Sequence, residues 1–158
     1  MIKIILMGIL ICSSAGAIAA ETPGKFANGP ADARTPEAVK AADEAWLNAE
    51  ISGDYQFLEW FLLDGYESID STGSIFSRAA LIENRRKRGR SEEFAKRVRE
   101  WREQHPNHAE VKIYKDTAVL TWVTDDPNSK TPIYSCDIFV YQNSHWHAIY
   151  SQHSTAES

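Results

Sequence analysis

Asp137 is the residue of this 158-residue chain that most needs a chemical explanation. It interrupts the segment from Tyr134 to Tyr141, which is otherwise apolar or small on both faces of a strand. A carboxylate there is costly unless it finds a partner, ionises into water at a pocket, or stays protonated; the alternative is an exposed face. Its cross-strand neighbour depends on the turn at Asn143-Ser144. A two-residue turn sets Asp137 opposite Tyr150, whereas a three-residue loop with a bulge sets it opposite Ser151 and brings His153 onto its face. Histidine titrates near neutrality, so His153 is a candidate proton carrier in that second register. His145 and His147 are two apart and share a strand face, but His153 lies about 20 Å further along at roughly 3.3 Å per residue, too far for one ion. No metal site and no cofactor are expected. Cys136 has neither a histidine nor a helix N-terminus beside it in sequence, so it reads as packing rather than as a nucleophile.

The elements that must position these groups are legible from caps and periodicity. Thr35-Pro36-Glu37 is a helix start, and Val39, Ala42, Ala45, Trp46, Ala49 and Ile51 follow at helical spacing as far as Ser52-Gly53. Asp54 caps a short second helix through Phe61. From Leu62 to Arg78 the pattern shortens to an alternation, with Tyr66, Ser68 and Asp70 on one side, and a turn at Ser71-Thr72-Gly73-Ser74 makes it a hairpin. Two helices follow, Ser77 to Arg88 and Ser91 to Gln104, the second presenting Phe94, Val98 and Trp101 on one face. The last third is strand: Ala109 to Tyr114, Thr117 to Thr124, Pro132 to Gln142 and His145 to His153, with a polar loop from Asp125 to Thr131. Helices first and an antiparallel meander last predict an α+β domain with helices on one sheet face.

Ahead of this lies an exported leader. Lys3, the apolar run from Ile4 to Cys12 and the small residues that follow form a secretory signal over Met1 to Ala20, with cleavage after Ala19 or Ala20. Bulky Leu10 and Ile11 before Cys12 argue against lipid attachment. The expected destination is the periplasm or the medium. Residues Glu21 to Arg34, without periodic apolar residues, read as a flexible leader, and 35–154 as a single domain. After cleavage Cys136 is the one cysteine left, so no internal disulfide is expected. The net charge of −5, more negative once Lys3 is lost, excludes general affinity for nucleic acid or an anionic membrane surface. The basic run Arg85, Arg86, Lys87, Arg88 and Arg90 is read as a solvated helix end, with an anion or partner site as the alternative.

Several short motifs, in this order, carry a resemblance: Ala45-Trp46-Leu47-Asn48-Ala49 with Ser52-Gly53-Asp54; Leu62-Leu63-Asp64 leading to Asp70 and Gly73; Asp116-Thr117-Ala118-Val119-Leu120; Cys136-Asp137-Ile138-Phe139-Val140; and Trp146 with Gln152-His153-Ser154. Together they resemble the SnoaL-like, ketosteroid-isomerase-related domains of the nuclear-transport-factor-two-like superfamily. The likeness runs from about Pro36 to Ser154. It implies a cone-shaped α+β fold, N-terminal helices packed on a strongly bent antiparallel sheet that encloses an apolar pocket, frequently in a homodimer. Two departures stand out: the charged segment between Arg88 and His108 is longer than in many relatives, and Tyr134 stands where arginine is common.

The resemblance also implies roles. The isomerases' base position falls on Asp70, and their protonated late-strand aspartate falls on Asp137. Their donor tyrosine falls on Trp46, whose N–H donates one hydrogen bond and cannot ionise. Asp70 is equally well a turn former. The likeness favours the register that pairs Asp137 with Ser151, in which Phe139, Ile149, Ser151 and His153 share the face of Asp137. The candidate catalytic groups are therefore Asp70, Asp137 and His153, and the candidate ligand contacts are Trp46, Tyr66, Phe139, Ile149 and Ser151. The expected function is binding of a small apolar molecule, with isomerase-like or dehydratase-like acid–base chemistry. The alternatives are a non-catalytic dimerising or partner-binding domain, or an accessory or immunity-type protein with a vestigial pocket.

Overall fold

A computed structural model describes residues 33–105, 107–124 and 132–155. The signal segment, most of the leader and the polar loop from 125 to 131 lie outside the described residues. Helix α1 (Pro36–Ser52) starts where Thr35 accepts a hydrogen bond from the Ala38 N–H at 3.2 Å, with a proline in the first turn that needs no donor of its own. It stops at Gly53, whose φ of 73° is left-handed and whose N–H reaches the Ala49 carbonyl. Asp54 caps α2 (Tyr55–Phe61) through the Phe57 N–H at 3.1 Å. Ser77 and Ser91 do the same for α3 (Arg78–Arg88) and α4 (Glu92–Gln104).

The strands are β1 (Leu62–Ile69), β2 (Ile75–Ser77), β3 (Asn107–Tyr114), β4 (Thr117–Thr124), β5 (Ile133–Gln142) and β6 (His145–Thr155). They form one open six-stranded sheet in the order β2-β1-β6-β5-β4-β3. The meander is antiparallel throughout, and the single parallel pairing joins β1 to β6. That pairing welds the early hairpin to the late strands and brings the elements on which Asp70 and Asp137 stand into one surface. Along β5, Ser135, Asp137 and Phe139 are buried, whereas Tyr134, Cys136, Ile138 and Val140 are less covered, so the helices cover one face only.

Beneath that covered face Trp46 meets Phe61, Tyr66 and Phe139 with ring centroids 5.8, 5.7 and 6.3 Å apart. Around these rings pack Val39, Ala42, Leu58, Leu62, Ala118, Leu120 and Ala148, all buried. Burying such side chains contributes roughly 1.5–3 kcal/mol for each large one. Ala33 and Arg34 are also tied to the domain: Trp146 donates to the Ala33 carbonyl at 2.9 Å, and Arg34 pairs with Asp116 at 2.6 Å.

The last hairpin resolves the register by an unexpected route. Its turn is the two-residue one, Gln142 opposite His145, with Asn143 at φ 51° and Ser144 at φ 65°. The register nevertheless shifts between Ile138 and Phe139, so that Phe139 faces Ala148 while Asp137 faces Ser151. An extra residue in β6, Ile149, is absorbed mid-strand as a bulge. Asp137 therefore has the partner expected of a longer loop, supplied by a bulge at Ile149 within the strand rather than by a residue of the turn.

The basic run of α3 is tied down by the protein's own acids. Arg85 pairs with Glu50, Arg86 with Glu59 and Glu83, Lys87 with Glu83, and Arg88 donates to the Glu50 carbonyl while its guanidinium lies over Phe94. Helix α4 keeps Phe94 and Val98 half-buried on its expected face and departs from it at Trp101. It buries Ala95, and Trp101 is 39% exposed, stacked on His105 at 4.3 Å. The helix docks instead through Arg102, which grips both oxygens of Glu44 on α1 at 3.0 and 2.8 Å.

Candidate functional site

Between the helices and the sheet lies a cavity of about 350 Å³. Helix α1 contributes Asp43, Trp46, Leu47 and Glu50, which fall on one side because they recur three or four residues apart. The hairpin gives Tyr66, Ser68, Asp70 and Phe76, and α3 gives Leu81, Asn84 and Arg85. Trp122, Asp137, Ser151 and His153 complete the sheet side. The deep residues Trp46, Tyr66, Asp137 and Ser151 are buried, while Asp70 and Phe76 are partly exposed and Asn84 is exposed, so the space opens beside the β1–β2 turn.

Asp137 is 3% exposed. Its Oδ1 accepts from the Ser151 hydroxyl at 2.6 Å and its Oδ2 from the Trp122 indole N–H at 3.2 Å. Burial outweighs both hydrogen bonds and the nearby His153, and holds the carboxyl above the usual carboxylate range. Because Ser151 donates to Asp137, its lone pairs face the His153 Nε2 at 3.4 Å, and the His153 Nδ1 meets the Ser135 hydroxyl at 2.5 Å. Carboxyl, hydroxyl and imidazole thus form one chain along the cavity wall.

Opposite stands a residue that sequence reasoning missed. Asp43 is partly exposed, and it lines the cavity. Desolvation first, and then the negative charge of Asp137, push its carboxyl up to about 7; Glu44 and Glu50 add to the rise and Arg102 opposes it. The sequence reading did not single it out. The available signal was its place one turn before Trp46, on the edge of the apolar face.

Tyr66 is 1% exposed, and its hydroxyl, directed toward Ser68 and Ser151, closes a hydrogen bond with neither. Burial raises its pKa, so it stays protonated. Trp46, at the position of the isomerases' donor, spends its indole N–H on Glu50 at 3.2 Å, and Glu50 also accepts from Arg85 at 3.0 Å. That donor is therefore not aimed at a ligand.

Asp70 lines the same cavity as Asp137, but at its mouth. Its Oδ1 accepts from the Thr72 N–H at 2.9 Å, the Thr72 hydroxyl at 2.6 Å and the Ser74 N–H at 3.0 Å. Those hydrogen bonds, that from the Thr72 side chain foremost, hold its carboxyl below the ordinary range and make it a weak base. It is a turn former that also faces the cavity.

Two expected contacts lie elsewhere. Phe139, 0% exposed, is packed into the core against Trp46 and Phe61, and Ile149 is the bulge residue; neither lines the cavity. The bulge that sets Ser151 opposite Asp137 is what displaces Ile149 from the regular alternation. Tyr134, 44% exposed, is on the uncovered face and does not line the cavity. Nor does α4 line the cavity. The Cys136 thiol is pushed up by burial and by Asp137, opposite to what a nucleophile needs. The His147 Nδ1 lies 3.2 Å from the Trp60 carbonyl, and among the described residues no group of three or more His, Cys, Asp or Glu has metal-holding geometry.

Neither a family model nor a curated protein matches the sequence. Solved structures do match in fold. An NTF2-like protein from Cytophaga hutchinsonii superposes with a TM-score of 0.57 at 12% identity, over 78% of this chain and 100% of that one. An NTF-2-like protein of unknown function from Silicibacter pomeroyi gives 0.54 at 16% identity, over 76% and 94%. A candidate dehydratase from the NTF2-like family of Streptomyces avermitilis gives 0.52 at 14% identity, over 77% and 96%. With helices on one face of an open mixed sheet and these structures superposing on three quarters of its length, the chain has the NTF2-like α+β fold.

Proposed function

We propose that this protein binds a small, largely apolar molecule in the cavity and moves a proton on it, as an isomerase or dehydratase does. The observation that carries the reading is the pair of carboxyls, Asp43 and Asp137, set against one desolvated space with both affinities for protons raised. Like charges in such a site do not both ionise readily, so one proton is held between two groups of different surroundings. Asp137, the more buried, keeps it; Asp43, near neutrality, is the one that exchanges it.

A ligand carbonyl would accept from the Tyr66 hydroxyl and from protonated Asp137, whose Oδ2 has a lone-pair side that Trp122 does not occupy. Asp43 then takes the proton from the adjacent carbon as negative charge moves onto the oxygen, and returns it at another position or expels a leaving group. His153, through Ser151, tunes how firmly Asp137 holds its proton. The dehydratase description of the Streptomyces avermitilis relative agrees with this class of chemistry, at the level of fold only.

The test uses phenylacetone in deuterated water, with exchange of its α-protons followed by proton NMR. The protein is expected to accelerate exchange, and Asp43→Asn to cut the acceleration by about 10²–10⁴-fold, the usual range for a general base. Undiminished exchange in Asp43→Asn, with loss in Asp70→Asn, would move the base to the mouth; no acceleration by the native protein would end the catalytic reading.

A further inference from the structure

The cavity carries aromatic rings and carboxyls on the same walls. Its aromatic walls are Trp46, Tyr66, Phe76 and Trp122, and its carboxyls are Asp43, Glu50, Asp70 and Asp137. The cations facing it do not balance them: Arg85 is held by Glu50 at 3.0 Å, and His153 is turned between the hydroxyls of Ser135 and Ser151. At the mouth, Asp70 is an ordered anion. Three hydrogen bonds fix its Oδ1, and Phe76 stands near it in the same wall. Independently, the hydroxyl of Tyr66, a residue 1% exposed on the cavity wall, closes no hydrogen bond of ordinary geometry, so it remains able to donate.

We propose that the ligand is an organic cation, an apolar body carrying a protonated amine, seated with its body against the rings of the cavity and its ammonium at the mouth against Asp70. The inference rests on the small-molecule reading above and adds the charge of the ligand. An ammonium at this position gains from the fixed carboxylate and from the negative faces of nearby rings, and keeps part of its hydration at the opening. A carboxylate ligand would meet the ionised Asp70 at the mouth. A neutral ligand would leave Asp70 without a role beyond its turn.

Three probes of equal shape separate these cases: 3-phenylpropylamine, 3-phenylpropanol and 3-phenylpropanoate, each titrated calorimetrically against the native protein at low and at raised salt. The amine is expected to bind about three- to tenfold more tightly than the alcohol, the sum of an exposed ion pair and a cation–ring contact, and the acid most weakly. Added salt should narrow the gap. Asp70→Asn keeps the acceptor oxygen of the turn, and should bring the amine-to-alcohol ratio to about one. Alcohol binding equal to or tighter than amine binding, or a preference that survives Asp70→Asn, overturns the cation proposal and leaves the small-molecule reading standing. Absence of binding by all three defeats both.

Discussion

Asp43 stands on the face of α1 that carries Trp46 and Glu50, and its surroundings penalise its charged form. Its affinity for protons is higher folded, at about 7, than the ordinary 3.8, so between those values the native state binds the extra proton. Stability contributed by this group is therefore complete at low pH and is lost as the pH rises through 7. Replacing it by asparagine removes that loss. Asp43→Asn should match the native protein near pH 4 and exceed it near pH 8, by up to about 3–4 kcal/mol if the whole shift of roughly three units is relieved. Urea unfolding at the two pH values reads the difference; equal stability at both would mean that Asp43 is ordinarily solvated. A site residue whose removal stabilises the fold is one that the fold bears for another reason. Sequence alone did not expose this, because a charged residue beside another on a helix looks solvated until the opposing wall is known. Asp137 was legible for the opposite reason: a lone carboxylate in an apolar strand has no ordinary explanation.

At the scale of elements, caps and periodicity made every helix start and every hairpin readable. Thr35, Asp54, Ser77 and Ser91 each accept from the N–H three residues on. The bulge at Ile149 was not readable, since a strand with one inserted residue shows the same local pattern as one without. Its consequence is large, because it decides that Ser151 and His153 join Asp137 on the cavity wall. The exposure of Trp101 also escaped, as an ion pair between Arg102 and Glu44 docks α4 where apolar spacing suggested Trp101. One junction is fixed by geometry alone. Gly53 ends α1 in a left-handed conformation, and a Cβ there would overlap the carbonyl oxygen of Gly89, which ends α3. Gly53→Ala should cost more than about 2 kcal/mol, because strain and overlap add and a backbone oxygen gives way poorly. Gly73→Ala, with φ 83° and open space around it, should cost only about 1 kcal/mol. Equal midpoints in urea for the two variants would show that the helix ends are not in contact.

For the whole molecule, the parallel pairing of β1 with β6 joins the hairpin to the meander and lets one space be walled by α1, α3, the hairpin and three late strands. No single stretch of sequence contains that cavity. It arises from packing the aromatic core around Trp46 at one end and leaving polar groups from separate elements at the other. The account stands on the claim that this space is dry enough to hold protons on acids that water would strip. Residue-resolved titration of the aspartate carboxyl carbons by carbon-13 NMR measures it directly. Asp43 is predicted to titrate at about 7 and Asp137 above the usual carboxylate range, whereas Asp70 should titrate below it. Ordinary carboxylate values for both Asp43 and Asp137 would contradict the account.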